Sequence, residues 1–450
     1  MPGGLLADLY ELNMAASYLR RAMTGPATFS LFVRKLPPGR GFLVACGLED
    51  CLRFLEDFSF TEEDLGYLRQ VQGYDEDTLR ALARLRFTGD VHAVPEGRVV
   101  FADEPLLEVT APVAEAQLAE TVLLNHVTFQ TSVATKAARC VLAASGAQLV
   151  DFSFRRTQGI GAGLAVARAS AIAGFTATSN VEAGRRYGLD AAGTMAHSFI
   201  EAFSSEEDAF TAFARDFPAR TTFLVDTYDT EQGVRTAIKV ARQLQLAGPI
   251  GVRLDSGDLA ALARASRRML DDAGRPDARI FASGGLDEYA IADLAAGGAP
   301  IDAYGVGTKM GVSADAPYLD SAYKLVAYAG RPVMKLSPGK VSQPGAKQVY
   351  RGPGGDVLTL SGEPAPPGCE PLLAPVMRHG RRLTPAEPLT AARQRCADDL
   401  SWLPPSARAL RAPSPVPVTV SPPLTVLRES LAEELTRRIG RPSAGSDQAT

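Results

Sequence analysis

The amino-acid sequence predicts an α/β protein in which a parallel sheet, closed or open, fills the middle of the chain and a smaller α+β domain flanks it. Three observations carry that reading. Between Gln148 and Thr308, short apolar runs alternate with amphipathic helical stretches. On either side the pattern changes to short strand-like pieces punctuated by Gly- and Pro-containing turns. The chain has 450 residues, of which 46% are hydrophobic and 22% charged. That length is about three times the roughly 150-residue prior for one domain, so two domains are expected, one of them large. The composition is globular and excludes collagen, coiled coil and wholesale disorder.

The elements follow in order. From Asp8 to Met23, the residues Leu9, Leu12, Tyr18 and Leu19 recur near helical spacing, and Thr28–Val33 favours a strand. Charged helices are expected over Glu49–Asp57 and Glu62–Val71, the second opened by Thr61 with Asp64 three residues on, close to a capping box. Val91–Val94, Val99–Phe101 and Leu106–Val109 read as short strands. Glu115–Ala144 lacks Gly and Pro, which predicts one long helix. The central runs are Leu149–Phe154, Leu189–Gly193, Thr222–Asp226, Ile250–Leu254, Arg279–Ser283 and Asp302–Val306. Between them, helices are expected over Gly163–Ala173, Gly233–Leu246, Leu259–Asp272 and Glu288–Ala296. Beyond Thr308, Lys324–Tyr328, Pro332–Leu336 and Val357–Leu360 return to strand-like pattern. Seven prolines between Pro404 and Pro423 mark an extended segment before a last helix, Leu424–Ile439, and a tail from Arg441 that is expected to be disordered.

Charge and cysteine usage narrow the partners. With 47 Lys+Arg against 51 Asp+Glu, the net charge of -4 gives no basic footprint for nucleic acid or an anionic membrane. An anionic ligand must therefore meet a local cluster of Arg. Cys46, Cys51, Cys140, Cys369 and Cys396 are odd in number and lack metal-site spacing, and the N-terminus lacks a basic and apolar leader. No apolar run approaches the roughly 20 residues that span a bilayer. A cytoplasmic, reduced, zinc-free chain is expected.

The polar residues at the ends of the central runs locate the chemistry, because ligands bind at strand C-termini in parallel α/β folds. Gly159-Ile160-Gly161-Ala162-Gly163 has Leu164 where a dinucleotide fingerprint needs a third glycine, and no Walker loop occurs. Arg155 and Arg156 form a pair suited to carboxylate or phosphate, with a surface ion pair as the plain alternative. Arg253-Leu254-Asp255-Ser256-Gly257-Asp258 offers one Arg and two carboxylates for a metal-bound, hydroxyl-rich phosphate, although Asp258 alone could be a helix N-cap. Gly284-Gly285 and Gly305-x-Gly307-Thr308 leave backbone N–H groups open for phosphate. His197, one of four histidines, stands in a strand-end cluster, whereas His92 and His126 sit in apolar patterns. Its imidazole can act as base or nucleophile.

The segments Ala7-Asp8-Leu9-Tyr10-Glu11-Leu12, Phe32-Val33-Arg34-Lys35-Leu36-Pro37, Gly39-Arg40-Gly41-Phe42 and Arg155-Arg156-x-Gln158-Gly159 occur in that order. They are followed by Thr178-Ser179-Asn180, Gly193-Thr194-Met195-Ala196-His197-Ser198-Phe199, Leu224-Val225-Asp226-Thr227-Tyr228, Arg253–Asp258 and Gly305-x-Gly307-Thr308. Together, over about Leu5 to Arg351, the chain resembles the nicotinate phosphoribosyltransferase family. It departs from that family at Asp151-Phe152-Ser153-Phe154, where Glu-Phe-Gly-Leu is more usual, and at Phe175-Thr176-Ala177, where Phe-Asp-Gly is common.

The resemblance implies an irregular TIM-like α/β barrel, residues 113–322, joined to an α/β sandwich built from residues 1–112 and 323–440, with 441–450 as the tail. It implies conversion of nicotinate and phosphoribosyl pyrophosphate into nicotinate mononucleotide and pyrophosphate, coupled to ATP hydrolysis with Mg²⁺, in NAD salvage. Formally this is an ATP-dependent C–N ligase. Tyr10, Thr194 and Arg253 are thereby assigned to nicotinate, Thr308 to the phosphoribosyl group and His197 to transient phosphorylation. Arg155, Arg156, Ser198, Gly284, Gly285, Gly305 and Gly307 complete the expected substrate-binding set, and Asp255 and Asp258 are candidates for the ribose hydroxyls or Mg²⁺. A homodimer with shared active sites is also implied. Three other readings compete: an aldolase-type lyase using Lys309 or Lys324, a catalytically idle regulatory paralogue, and a nicotinamide-specific relative. Nicotinamide enzymes place an Asp after the Gly-Thr pair, where this chain has Met195.

Overall fold

In the computed structural model, which describes residues 3–337 and 342–440, the central region forms a curled, seven-stranded parallel half-barrel. Its strand order is Asp190–Ala191, Ala177–Thr178, Gln148–Asp151, Ala303–Val306, Arg279–Ala282, Gly251–Leu254 and Thr222–Leu224. Every neighbouring pair is parallel. Residues such as Val252, Leu254, Ile280, Ala282 and Val306 are fully buried, as expected for strands covered on both faces. Helices Ile160–Ala173, Thr230–Gln243, Leu259–Asp272 and Glu288–Ala296 return the chain between strands. Read round the sheet, the strands follow chain order, and the two edge strands are consecutive in sequence. Residues 192–221, which carry the His197 cluster, connect those two edges.

Both chain ends contribute to a second, antiparallel seven-stranded sheet. Its order is Arg331–Pro332, Ser321–Tyr328, Pro26–Val33, Pro105–Pro112, Asp90–Ala93, Ala374–Arg378 and Arg381–Arg382. Pairing of Pro26–Val33 with Ser321–Tyr328 brings together residues nearly 300 positions apart in sequence. A four-stranded sheet of Glu370–Pro371, Lys347–Gly352, Gly355–Leu360 and Val418–Val420 lies in the same part of the chain. The expected barrel and two-ended sandwich are therefore both present.

Differences from the sequence reading have local causes. The single helix expected over Glu115–Ala144 is two, Val113–Leu118 and Glu120–Ala143, separated at Ala119, whose dihedrals remain helical. Ala177–Thr178 is an unanticipated seventh central strand, too short to show a period. Of Pro332–Leu336 only the first residue pairs, within Arg331–Pro332. The last helix starts early, at Pro422, because proline at a first turn lacks only an N–H that the helix does not use. Thr61 and Asp64 do form a reciprocal capping box, with N–H donation of 3.1 Å to the Thr61 hydroxyl and 2.8 Å to the Asp64 carboxylate. The expected tail lies outside the described residues. Among the described residues no helix is long and apolar enough to cross a membrane.

A buried charge network joins the domains. On the helix Glu120–Ala143, Lys136 Nζ lies 2.6 Å from Glu288 and 2.8 Å from Asp315, and Arg139 Nε donates to Glu288 at 3.0 Å. Arg139 also donates to the carbonyls of Gly39 and Leu410, which belong to the two flanking segments. Arg40 closes the network on Asp315 at 3.1 Å and Ser313 at 2.6 Å. Burial raises the Asp315 carboxyl, but Arg40 and Lys136 outweigh it and hold it well below the carboxylate range. Removing one member of such a network leaves buried charge uncompensated. Glu288→Ala is expected to cost about 3–5 kcal/mol, read as a lower denaturant midpoint in chemical unfolding.

Candidate active site

The C-terminal ends of the parallel strands open into a cavity of about 380 Å³ lined by Phe152, Arg155, Thr194, Met195, His197, Arg253 and Asp255, among others. Arg253, on the strand Gly251–Leu254, dominates it. Its Nε donates to Ser283 Oγ at 2.8 Å, one Nη to Thr194 Oγ1 at 3.0 Å and the other to Asp255 Oδ1 at 2.7 Å. The guanidinium lies 5.3 Å from the centroid of the Phe152 ring, and Phe152 packs on Phe281 with centroids 5.5 Å apart. Three of its five N–H groups are thereby engaged, and two remain for a ligand. A fixed planar fork above an aromatic floor suits a flat molecule bearing a carboxylate.

Asp255 accepts from both Arg253 and Ser283. Burial pushes its carboxyl up, but these donors and the nearby Arg253 and His197 charges hold it below the ordinary carboxylate range. Asp226, at the end of the neighbouring strand, accepts from the Asp255 N–H at 3.1 Å and from Ser256 Oγ at 2.6 Å through one oxygen. Its other oxygen is buried with no protein partner. Thr227 Oγ1 lies 3.2 Å from His197 Nδ1. The consecutive residues Asp226 and Thr227 thus brace the loops on both sides of their strand.

The glycines act through close approach. Gly284 has φ +95°, and a Cβ there would lie 2.0 Å from the Asp255 carbonyl oxygen. At Gly305 a Cβ would lie 2.7 Å from the Phe152 ring and 2.9 Å from the Phe281 ring. These residues therefore shape the walls around Arg253, and Gly285 and Gly307 extend the same two loops.

The expected residues do not all converge. Arg253, Asp255, Thr194, His197 and Arg155 line one cavity. Arg156 and Ser198 are exposed and lie outside that lining, and Thr308 is exposed at the start of the short helix Thr308–Gly311. Asp258 is exposed and caps the helix Leu259–Asp272, accepting from the Ala261 N–H at 3.0 Å. Its plain alternative is thus its observed contact. Lys309 pairs with Asp287 at 2.8 Å, and Lys324 sits in the antiparallel sheet, so neither lysine of the lyase reading lines the cavity. Sequence reasoning assigned no role to Phe152, Asp226, Thr227 or Ser283. The last three stand in strand-end polar clusters, the signal that could have found them. Phe152 carries no polar signal.

Tyr10 stands on the helix Leu9–Arg20, 48% exposed and absent from the cavity lining. Burial and the charges of Glu120 and Glu11 raise its hydroxyl above the ordinary range. Glu11 itself is fully buried and accepts from Thr121 at 2.6 Å. Burial foremost, with Glu120 and Asp8 adding, raises its carboxyl to about 7 despite donation from Thr121.

A parallel α/β half-barrel with an arginine fork and glycine-lined loops at its strand ends defines an enzyme for small anionic substrates. Known proteins narrow the class. Residues 5–128 match the nicotinate phosphoribosyltransferase N-terminal domain, residues 133–320 the quinolinate phosphoribosyl transferase C-terminal domain, and residues 362–428 the nicotinate phosphoribosyltransferase C-terminal domain. A nicotinate phosphoribosyltransferase of Mycobacterium tuberculosis is 50% identical over 415 residues, covering 91% of this chain and 89% of the relative. The crystal structure of human nicotinic acid phosphoribosyltransferase superposes with TM-score 0.84 at 31% identity, covering 94% of this chain and 99% of the other. That of nicotinate-nucleotide pyrophosphorylase from Pyrococcus furiosus gives TM-score 0.74 at 25% identity, covering 89% and 95%. The chain belongs to the nicotinate phosphoribosyltransferase family.

The environment of Tyr10 yields a pH prediction. The folded Glu11 carboxyl, at about 7, lies above its unfolded value of about 4.5, so the fold favours the protonated acid. That contribution is fully present below about pH 4.5 and is lost as pH rises through about 7. Glu11→Gln imitates the protonated form. Its stability is expected to match that of the parent at pH 4 and exceed it by about 3 kcal/mol at pH 8 in chemical denaturation.

Proposed function

We propose that this chain transfers the phosphoribosyl group of phosphoribosyl pyrophosphate to nicotinate, giving nicotinate mononucleotide and pyrophosphate for NAD synthesis in the cytoplasm. The arginine fork carries the reading: Arg253, fixed over Phe152, has two free N–H groups for the nicotinate carboxylate while the pyridine ring rests on the aromatic floor. The pyridine nitrogen already holds a lone pair and needs no base. It attacks the ribose anomeric carbon as the bond to pyrophosphate breaks, through an oxocarbenium-like state. The chain's contribution is alignment and neutralisation of the departing charge. Arg155 lies in the same cavity with no ion-pair partner among the described residues, and suits the phosphates.

Mg²⁺ fits this site as a companion of the substrate phosphates and not as a caged ion. Among the described residues no group of three or more potential ligands could hold a metal. Mg²⁺ commonly takes one or two carboxylates together with substrate phosphates, and Asp226, with its unpartnered buried oxygen, and Asp255 are suitable donors. Bound there, it would supply positive charge to the leaving pyrophosphate.

ATP coupling runs through His197 in this reading. Its Nδ1 faces the Thr227 hydroxyl, which leaves Nε2 as the nucleophile when Nδ1 carries the proton. The γ-phosphoryl passes from ATP to Nε2, breaking the P–O bond and releasing ADP, and water later takes it as phosphate. The added charge, in the cavity that also holds Arg155 and Arg253, organises the phosphoribosyl pyrophosphate site. The reading extends to a homodimer in which Tyr10, exposed and away from its own cavity, covers the pyridine in the partner's site.

The test is formation of nicotinate mononucleotide from the two substrates with and without ATP. Nicotinate should be preferred over nicotinamide by a hundredfold or more, since Met195 offers an amide no carboxylate acceptor; comparable turnover of nicotinamide would defeat the reading of Arg253. His197→Asn is expected to abolish nicotinate-dependent ATP hydrolysis and acid-labile ³²P labelling, yet to leave slow ATP-independent transfer. Labelling that persists in the variant would move the phosphate to another residue.

A further inference from the structure

Among the contacts that hold Arg253, one is made by a side chain with no role in the reaction described above. Ser283 follows the strand Arg279–Ala282 and is 2% exposed. Its backbone N–H donates to the Leu254 carbonyl at 2.8 Å, which extends the ladder between the two strands. The side chain therefore starts from a fixed backbone. Its Oγ lies 2.8 Å from Arg253 Nε and also contacts Asp255 Oδ1.

The direction of these bonds follows from donor inventory. Arg253 Nε–H can only donate, so the Ser283 oxygen accepts there, and its one proton goes to the ionised Asp255. Asp255 Oδ1 in turn accepts from Arg253 Nη at 2.7 Å. The three residues close a ring in which each hydrogen bond has one permitted direction. The ring fixes the guanidinium at Nε and leaves one hydrogen on each Nη for a ligand. Thr194 and Asp255 can hold the Nη groups, yet neither reaches Nε. Without the Nε anchor the guanidinium keeps its charge and loses its fixed plane.

We propose that Ser283 is a specificity-determining positioning residue: by accepting from Arg253 Nε and donating to Asp255, it sets the plane in which the arginine fork meets a flat aromatic carboxylate. The acid form of the substrate depends on that plane for a directional hydrogen bond, whereas charge alone would survive its loss. This inference rests on the assignment of Arg253 to the nicotinate carboxylate.

The full chain is assayed with Ser283→Ala, Ser283→Thr, Arg253→Lys and the Ala/Lys double variant, each checked for cooperative thermal unfolding. Ser283→Ala is expected to raise the nicotinate KM about tenfold, to lower kcat by no more than about threefold, and to reduce the preference for nicotinate over nicotinamide about tenfold. Ser283→Thr retains a hydroxyl and should return the KM to within about threefold of the parent. Arg253→Lys has no Nε–H, so adding Ser283→Ala to it should change nicotinate affinity less than twofold. If Ser283→Ala fails to fold, Ser283→Cys, nearly isosteric and a weak acceptor, carries the same expectation. An unchanged KM and preference in a folded variant would overturn the proposal. So would an equal loss in the Arg253→Lys background, which would make Ser283 independent of Arg253. A parent chain that forms no nicotinate mononucleotide would instead overturn the functional reading on which the proposal rests.

Discussion

The buried carboxylate of Glu288 ties the long helix to the wall of the parallel sheet. It is fully buried and is met by Lys136 and Arg139 from that helix, which also reach both flanking segments. Two buried cations and one carboxylate are costly to separate, so the helix Glu288–Ala296 cannot drift from the junction. That helix begins a few residues after Ser283 and Gly284. Its N-cap, Asp287, takes hydrogen bonds from the Tyr289 and Ala290 N–H groups and an ion pair from Lys309, the residue after Thr308. The junction of the domains, the Gly284-Gly285 loop and the Gly305–Thr308 loop are therefore one connected structure. The cavity keeps its shape because its walls are anchored to the interface between domains.

Within the cavity the organising element is a single guanidinium. Arg253 has three fixed acceptors, drawn from its own loop, the loop after Arg279–Ala282 and the loop after Asp190–Ala191. A long, flexible side chain would otherwise lose substantial rotamer freedom on binding a ligand. Here that ordering is already complete in the fold. Asp255 remains ionised because the same hydrogen bonds that orient it also favour its charged form, against the opposing effect of burial. Asp226 performs the complementary task on the backbone, holding the Asp255 N–H and the Ser256 hydroxyl with one oxygen.

Much of this is legible in the sequence, and the parts that are not share a cause. Alternating apolar runs identify a parallel sheet because buried strands and amphipathic helices have different periods, and the polar residues after each run mark the ligand face. Arg253, Asp255 and His197 stand out in that way, whereas Thr194 enters through the family resemblance. Two-residue strands such as Ala177–Thr178 carry no period to detect. Asp258 illustrates a different limit: capping and ligand binding both select Asp at a strand-to-helix turn, and only geometry showed that its carboxylate serves Ala261. Ser283 and Asp226 act through bonds to residues roughly thirty positions away, a relation that no local pattern contains. Their membership of strand-end clusters marked the right neighbourhood without stating the role.

The departures at Asp151-Phe152-Ser153-Phe154 follow from the same geometry. Asp151 is buried at the end of its strand, and burial raises its carboxyl even though Ser153 and Thr178 donate to it. Ser153 supplies both a backbone N–H, at 2.9 Å, and a hydroxyl. A glycine in its place would retain only the first, so the serine hydroxyl helps to satisfy this carboxylate. Space for the larger side chains comes from glycines opposite them. A Cβ on Gly311 would lie 2.4 Å from Ser153 Cβ, and one on Gly163 would lie 2.2 Å from the Phe154 ring. The substitutions are thus accommodated as a set, with the added polar group paired and the added volume received. Phe152 between them keeps its contacts with Phe281 and Arg253, so the floor under the guanidinium is retained although the residues on both sides of it differ from the family's usual pattern.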